Sequence, residues 1–280
     1  MEFWDFSEQR VARYTEGGVL WLTFLNEADL VAYLERHGYP DLFVNHGPRG
    51  QQALDLLEGR CFRVHVPALR LGRDRAGNVG ADCYLVDAEE QLDERSMLYV
   101  PVVNTWRLVP GAYEKRRDLL YLAACYDGKR HDIVVDALRG TDLTCHFHPV
   151  EPDQLDLSGT LIETSSWDER DVVELLQTSR IAVYPADNAS NPAAMWECVA
   201  ADLPIVVNRG IRGGRHVVVP GVTGELAAEE EFGEVMRHVH ARRDAYAPRR
   251  YLDEHWDTVA TLESYLAFFA RMGWDGERCS

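Results

Sequence analysis

The feature that most constrains this chain is a repeated change of period: short apolar runs rich in β-branched and aromatic residues alternate with stretches of helical spacing along its whole length. Strands linked through helices return parallel, and such strands are buried on both faces, so the pattern predicts parallel sheets wrapped by helices. A first series reads as strand 19–24, a helix from Glu27 to Arg36 capped by Asn26 and stopped at Gly38-Tyr-Pro40, and strand 41–45. A short helix 51–57, strands 61–66 and 81–87, a helix near 89–94 and strand 97–103 follow. Periodicity is lost over Asn104-Thr-Trp-Arg-Leu-Val-Pro-Gly-Ala-Tyr113, which places a domain boundary there. The second series has strands at 119–124, 143–148, 161–164, 181–184, 204–208 and 216–219, with helices at 131–138, 169–178, 193–201 and 231–242. After Pro248 the spacing predicts a last helix, 253–271, with Trp256, Val259, Leu262, Leu266 and Phe269 on its apolar face. The expected domains are 1–105, completed by the C-terminal helix 253–274, and 106–252. Ligands in such sheets lie beyond the carboxyl ends of the strands.

Composition narrows the partners. With 46 acidic against 29 basic residues the formal charge is -17, which repels a polyanion, so nucleic acid is an unlikely partner. The apolar runs stop far short of the ~20 residues a membrane span requires. The acidic start, Met1-Glu-Phe-Trp-Asp5, lacks a signal-peptide pattern, and the six cysteines form no Cys-x-x-Cys pair. The expectation is a cytoplasmic chain with reduced thiols and no membrane partner.

Chemistry concentrates in residues 161–226. Asn188, Ser190, Asn191 and Pro192 form a polar turn directly before a helix that opens at Ala193, so free backbone N–H groups and a positive dipole end face whatever sits above it. A phosphate or sugar hydroxyls suit that place. Arg212-Gly213-Gly214-Arg215 offers backbone and guanidinium groups to a diphosphate, glycine allowing close approach; either Arg also reads as a plain surface residue. Trp167, after a strand end, is placed to stack on a base or simply to pack.

The run Tyr184-Pro185, Asn188-Ala-Ser-Asn-Pro192, Ala193-Ala-Met-Trp-Glu197, Asp202-Leu-Pro-Ile-Val-Val207 and Gly210-Ile-Arg-Gly-Gly214 resembles the donor-binding half of retaining GT-B glycosyltransferases. The segment from Trp167 to Pro185 matches the stretch that leads into it, and the resemblance covers about residues 118–226. It implies an α/β chain of GT-B type, two Rossmann-like domains facing a central cleft, with the first domain reduced. It implies a nucleotide-sugar donor as co-substrate, a small-molecule acceptor and no cofactor. Glu197 falls where the family's carboxylate holds the nucleotide ribose, Lys129 matches the Lys of its phosphate clamp, and Arg212 would share the leaving-group charge. His46, in Asn45-His46-Gly-Pro-Arg49-Gly50, resembles a family loop that faces donor sugar or acceptor. Gly17-Gly18 resembles its glycine turn.

Two positions depart from the pattern. The clamp Arg is replaced by Ala124, leaving Lys129 with Arg130, Arg212 or Arg215 as substitutes, and the carboxylate that contacts the transferred sugar is replaced by Ala189. Sugar recognition must therefore differ here. The same losses fit a noncatalytic relative acting as a partner subunit; a nucleic-acid-modifying transferase would share the fold but needs a basic groove. No two aspartates are separated by a single residue, so an Asp-x-Asp metal site is missing, and His146-Phe-His148 and His238-Val-His240 lack a third ligand at metal spacing. Metal-independent sugar transfer with retention is the expectation.

Overall fold

The computed structural model describes residues 2–6, 12–16, 19–24, 27–46, 51–66, 80–101, 103, 105–167, 171–187 and 192–275, with the backbone alone described for those up to 27 and for 46, 51, 52 and 106. The chain divides into two compact units: residues 1–86, 92–97 and 266–280 form one, and 87–91 with 98–265 the other. The units change over at 97/98, with a five-residue excursion at 87–91, and again at 265/266.

In the first unit, β1 (Glu2–Phe6) and β2 (Ala12–Glu16) flank β3 (Val19–Phe24), β1 parallel and β2 antiparallel to it. A second sheet orders β4 (Leu42–His46), β5 (Phe62–Val66), β6 (Cys83–Val86) and β7 (Ser96–Leu98) side by side. Helix α1 (Glu27–His37) ends where Gly38, at φ 94°, turns its N–H back onto the Leu34 carbonyl. Leu30 and Leu34 from α1 pack with Phe43, Leu57, and Ala53 and Leu54 of α2 (Gln51–Leu56) as the core. The helix expected near 89–94 is only a 3-10 turn, Glu89–Gln91.

The second unit is built on six parallel strands: β8 (Arg117–Leu122), β9 (Thr144–His148), β10 (Leu161–Thr164), β11 (Ser179–Tyr184), β12 (Ile205–Asn208) and β13 (Gly224–Ala227). Their spatial order is β10-β9-β8-β11-β12-β13. Counted within this unit that is 3-2-1-4-5-6, the doubly wound Rossmann order, whose chain reverses direction between the first and fourth strands. Helices α3 (His131–Leu138), α4 (Val172–Thr178), α5 (Ala193–Ala200) and α6 (Phe232–Ala241) cover it. Trp196, Tyr121, Tyr184, Phe147 and Phe232 are the largest fully buried side chains, and burying each adds about 2 to 3 kcal/mol relative to exposure.

Two expectations fail in this unit. His216–Val219 is not a strand: Arg215–Val217 is a 3-10 turn, and the Thr223 hydroxyl accepts from Val219 N and donates to Val217 O, wrapping the β-branched run into a loop. The edge strand is β13 instead. The last helix is also two helices. Pro248 starts α7 (Pro248–His255), and Asp257 opens α8 (Thr258–Arg271) by accepting the N–H groups of Val259 and Ala260. The buried face of α8 is Thr261, Tyr265, Phe268 and Phe269, while Val259, Leu262 and Leu266 are exposed, so the expected apolar face is corrected by rotation about the helix axis. Among the described residues no helix is long and apolar enough to cross a membrane.

Candidate active site

The switch point lies between the carboxyl ends of β8 and β11, and the loops that leave these strands carry the predicted residues. After β8 the chain turns through Ala123 to Arg130. The buried Tyr121 hydroxyl donates to the Lys129 carbonyl at 2.6 Å, fixing the far end of the loop to the strand it left. Lys129 ends a 3-10 turn (Asp127–Lys129) with its ammonium 5.4 Å from the Tyr126 ring centre, and it makes no ion pair among the described residues. Its charge is available.

Arg130 is not. It sits in the left-handed region at φ 51°, and its guanidinium binds Asp132 at 2.9 Å and Glu229 at 2.8 Å, with Asp187 at 3.9 Å. Those hydrogen bonds, Glu229's first, push its pKa up and Glu229's down. The expected substitution of Arg130 for the missing clamp arginine is therefore corrected: Arg130 joins the loop ends after β8, β11 and β13.

Beyond β11, the residues Asn188, Ser190 and Asn191 lie outside the described part of the chain. Pro192 is the residue before α5, in extended conformation, and among the described residues no side chain caps the helix that Ala193 begins. The first N–H groups of α5 thus keep their capacity for an anion. The carboxyl of Glu197, one turn along, makes no hydrogen bond or ion pair among the described residues, and burial pushes its pKa up.

After β12, the buried Asn208 organises the third loop. Its side-chain nitrogen donates to the Pro185 carbonyl at 2.8 Å, and its oxygen accepts Gly210 N–H at 2.8 Å. Gly213 is buried and Gly214 adopts φ 78°, a conformation that favours glycine, with its N–H on the Asp87 carbonyl at 2.9 Å. Arg212 is exposed and makes no ion pair among the described residues, whereas Arg215 lies 3.7 Å from Glu90.

At the other end of the sheet, Trp167 is 71% exposed and stands edge-on to His148 with ring centres 5.8 Å apart. Ser165 bridges His148 Nδ1 at 3.0 Å and His146 Nε2 at 2.8 Å, and Glu163 stands 3.5 Å from His146 Nδ1. The two imidazoles on one strand face thus serve a polar chain through Ser165. His46 ends β4, and its side chain lies outside the described residues.

Lys129, the N-terminus of α5 with Glu197, and the loop with Arg212, Gly213 and Gly214 thus follow the carboxyl ends of β8, β11 and β12 in turn. Sequence reasoning missed Asp187, Asn208, Glu229 and Asp87. Only Asn208, a lone amide closing an apolar strand before Arg-Gly, left a local signal.

No protein-family model matches the sequence. No curated protein matches it. Solved structures do. Sucrose-phosphate synthase from Thermosynechococcus elongatus matches over 97% of this chain and 87% of its own, with a TM-score of 0.70 and 12% identity. HepE of Anabaena, solved in complex with UDP and glucose, matches over 90% of this chain and 86% of its own, with a TM-score of 0.68 and 12% identity. The lipopolysaccharide outer core galactosyltransferase WaaB in its apo form matches over 88% and 79%, with a TM-score of 0.64 and 14% identity. At such identities the likeness is one of fold. The chain has the GT-B fold, α/β with two Rossmann-like domains, that these glycosyltransferases share.

Proposed function

We propose that this chain transfers a sugar from a nucleoside-diphosphate donor to a small acceptor, with retention at the anomeric carbon and without a metal ion. One observation supports the reading: the loops that leave β8, β11 and β12 beside the switch point of a 3-2-1-4-5-6 sheet carry, in turn, Lys129, the N-terminus of α5 with the half-buried Glu197, and Arg212, none of whose side chains is in an ion pair among the described residues. Anion-binding donors and a hydroxyl-binding carboxyl are what a nucleotide diphosphate needs. HepE, of the same fold, was solved with UDP and glucose, which supports the donor class.

In this reading Glu197 accepts the ribose hydroxyls, the loop after β11 and the turn at Gly213-Gly214 hold the diphosphate and sugar, and Trp167 stacks on the base. As the bond between the anomeric carbon and the leaving oxygen breaks, negative charge builds on the diphosphate, where Lys129 and Arg212 stabilise it. The departing phosphate oxygen takes the proton of the acceptor hydroxyl while the new glycosidic bond forms on the same face. The protein then supplies charge and geometry and needs no general base. The absence of any Asp-x-Asp pair supports metal independence, and the acidic chain favours a neutral or cationic acceptor. Thermal shift against a panel of nucleoside diphosphates and nucleotide sugars tests the reading: at least one raises the melting temperature, and a flat response to all of them overturns it.

A further inference from the structure

Asp87 is the first residue beyond β6. It groups with the second unit, as do residues 88–91, although the strand before it groups with the first. Its backbone carbonyl accepts the Gly214 N–H, and Arg215 pairs with Glu90, so the turn after β12 rests on residues 87–90 through one backbone bond and one ion pair. The Asp87 side chain takes part in neither. The residue is 6% exposed, and its carboxyl has no hydrogen bond or ion pair among the described residues. Burial holds its pKa up at about 7, and burial, with the Asp87 charge second, raises the Tyr99 hydroxyl.

Neither Asp87 oxygen is among the side-chain atoms wholly sealed from solvent, yet a carboxyl on so buried a residue with no partner of its own is poorly compensated for the water it loses. The charged and titratable groups around the segment supply no compensation. Glu89 and Glu90 are carboxyls that bring no cation, burial raises the Tyr99 phenol, Arg215 faces Glu90, and burial lowers the pKa of His216 and so favours its neutral form. An apolar side chain would sit at this position at less cost. A partner from outside the chain gives the carboxyl a role, and its place beside the Gly213-Gly214 turn selects that partner. A phosphate would be repelled by the carboxylate, whereas a sugar hydroxyl is neutral and donates to it.

We propose that Asp87 contacts the ligand of this same site, its carboxyl accepting a hydroxyl of the transferred sugar beside the Gly213-Gly214 turn. This rests on the donor class proposed above. It makes Asp87 a specificity-determining residue, with Glu197, Lys129 and Arg212 acting on the nucleotide that every donor of one base shares.

The experiment compares UDP with UDP-glucose, and GDP with GDP-mannose, by calorimetry. Asp87→Ala should weaken the nucleotide sugar about tenfold, the loss of one hydrogen bond to a charged group, and leave the nucleoside diphosphate unchanged. Asp87→Asn, which keeps an acceptor oxygen, should lose less. If both variants bind sugar nucleotide and nucleoside diphosphate as the wild type does, Asp87 does not contact the sugar. Should neither variant fold, the wild type still decides. A hydroxyl donates more strongly to a carboxylate than to an acid, so the ratio of nucleotide-sugar affinity to that of the matching nucleoside-diphosphate methyl ester, neither of which titrates in this range, should rise severalfold from pH 6 to pH 8. A flat or falling ratio overturns the proposal. The ratio cancels titration of Glu197, which acts on the part common to both ligands. Wild-type protein that binds neither pair overturns the donor class and this inference together, whereas binding with an unaltered ratio overturns Asp87 alone.

Discussion

Glu197, half-buried, and Asp87, buried, are both carboxyls with no cation beside them among the described residues, and burial raises both pKa values. Such a group stabilises nothing in the free protein and gains only when a ligand arrives. Glu197→Gln should therefore leave the melting temperature close to wild type while weakening nucleotide binding by roughly 1 to 3 kcal/mol; unchanged affinity in calorimetry would remove Glu197 from the site. The cations make the opposite test. Lys129 and Arg212 act on charge that grows as the diphosphate leaves, so Lys129→Ala and Arg212→Ala should lower kcat more than they raise the acceptor KM. Turnover within about twofold of wild type for both variants would mean that the diphosphate sits elsewhere. Glu197 and Lys129 were legible in the sequence through the resemblance of residues 118–226 to the GT-B donor half, and Arg212 through its glycine-bearing loop, all within a local order of strand end, loop and helix. Asp87 and the partners of Arg130 were not. Arg130 meets Glu229 across 99 residues of chain, and whether an arginine is free or already committed is decided by that meeting.

At the scale of elements, the strands and helices around the switch point could be read because each is a continuous apolar run or an amphipathic stretch bounded by its own stop signals. The edge beyond β12 could not, since His216-Val-Val-Val219 has strand composition and only the tertiary bonds of Thr223 fold it into a loop. The true edge strand, β13, opens with Gly224, where an added Cβ would lie 1.9 Å from the Ile205 carbonyl oxygen. Gly224→Ala should thus destabilise the second unit by about 2 kcal/mol or more, read as a lowered denaturation midpoint. Helix α3 carries a second element-scale test. Its first residue, His131, is buried, with Nε2 on the Ala123 carbonyl at 3.1 Å and its ring 4.6 Å from that of Tyr121. Burial lowers its pKa to about 4, from 6.5 for an ordinary histidine. The folded chain thus resists a proton that the unfolded chain accepts. The stabilisation is complete above pH 6.5 and is lost as the pH falls towards 4, by roughly 3 kcal/mol in all. The decline in melting temperature between pH 7 and pH 5 should accordingly be shallower in His131→Gln. An identical slope in the variant would show that His131 does not govern it.

Over the whole molecule, one helix is common to both compact units. Residues 258–265 of α8 belong to the second, where the Tyr265 hydroxyl accepts Val100 N–H at 2.6 Å and approaches the Val100 carbonyl at 2.8 Å. Residues from 266 belong to the first, where Phe269 packs against Phe62 of β5 with ring centres 5.9 Å apart. Tyr265, Phe268 and Phe269 are each less than a tenth exposed, and at about 2 kcal/mol per buried side chain the helix contributes several kcal/mol, shared between the two units. A chain ending at Asp257 should consequently melt at a lower temperature in both units and bind a hydrophobic dye that the full chain does not, because Phe62 and the residues around Val100 lose their cover. Ending the chain instead at Trp274 removes no buried aromatic side chain and should leave stability unchanged, which separates the loss of this face from the shortening of the chain. If the chain ending at Asp257 proved as stable and as free of dye as the full protein, α8 would be an appendage, and the buried face Thr261, Tyr265, Phe268 and Phe269 would contribute nothing to either core.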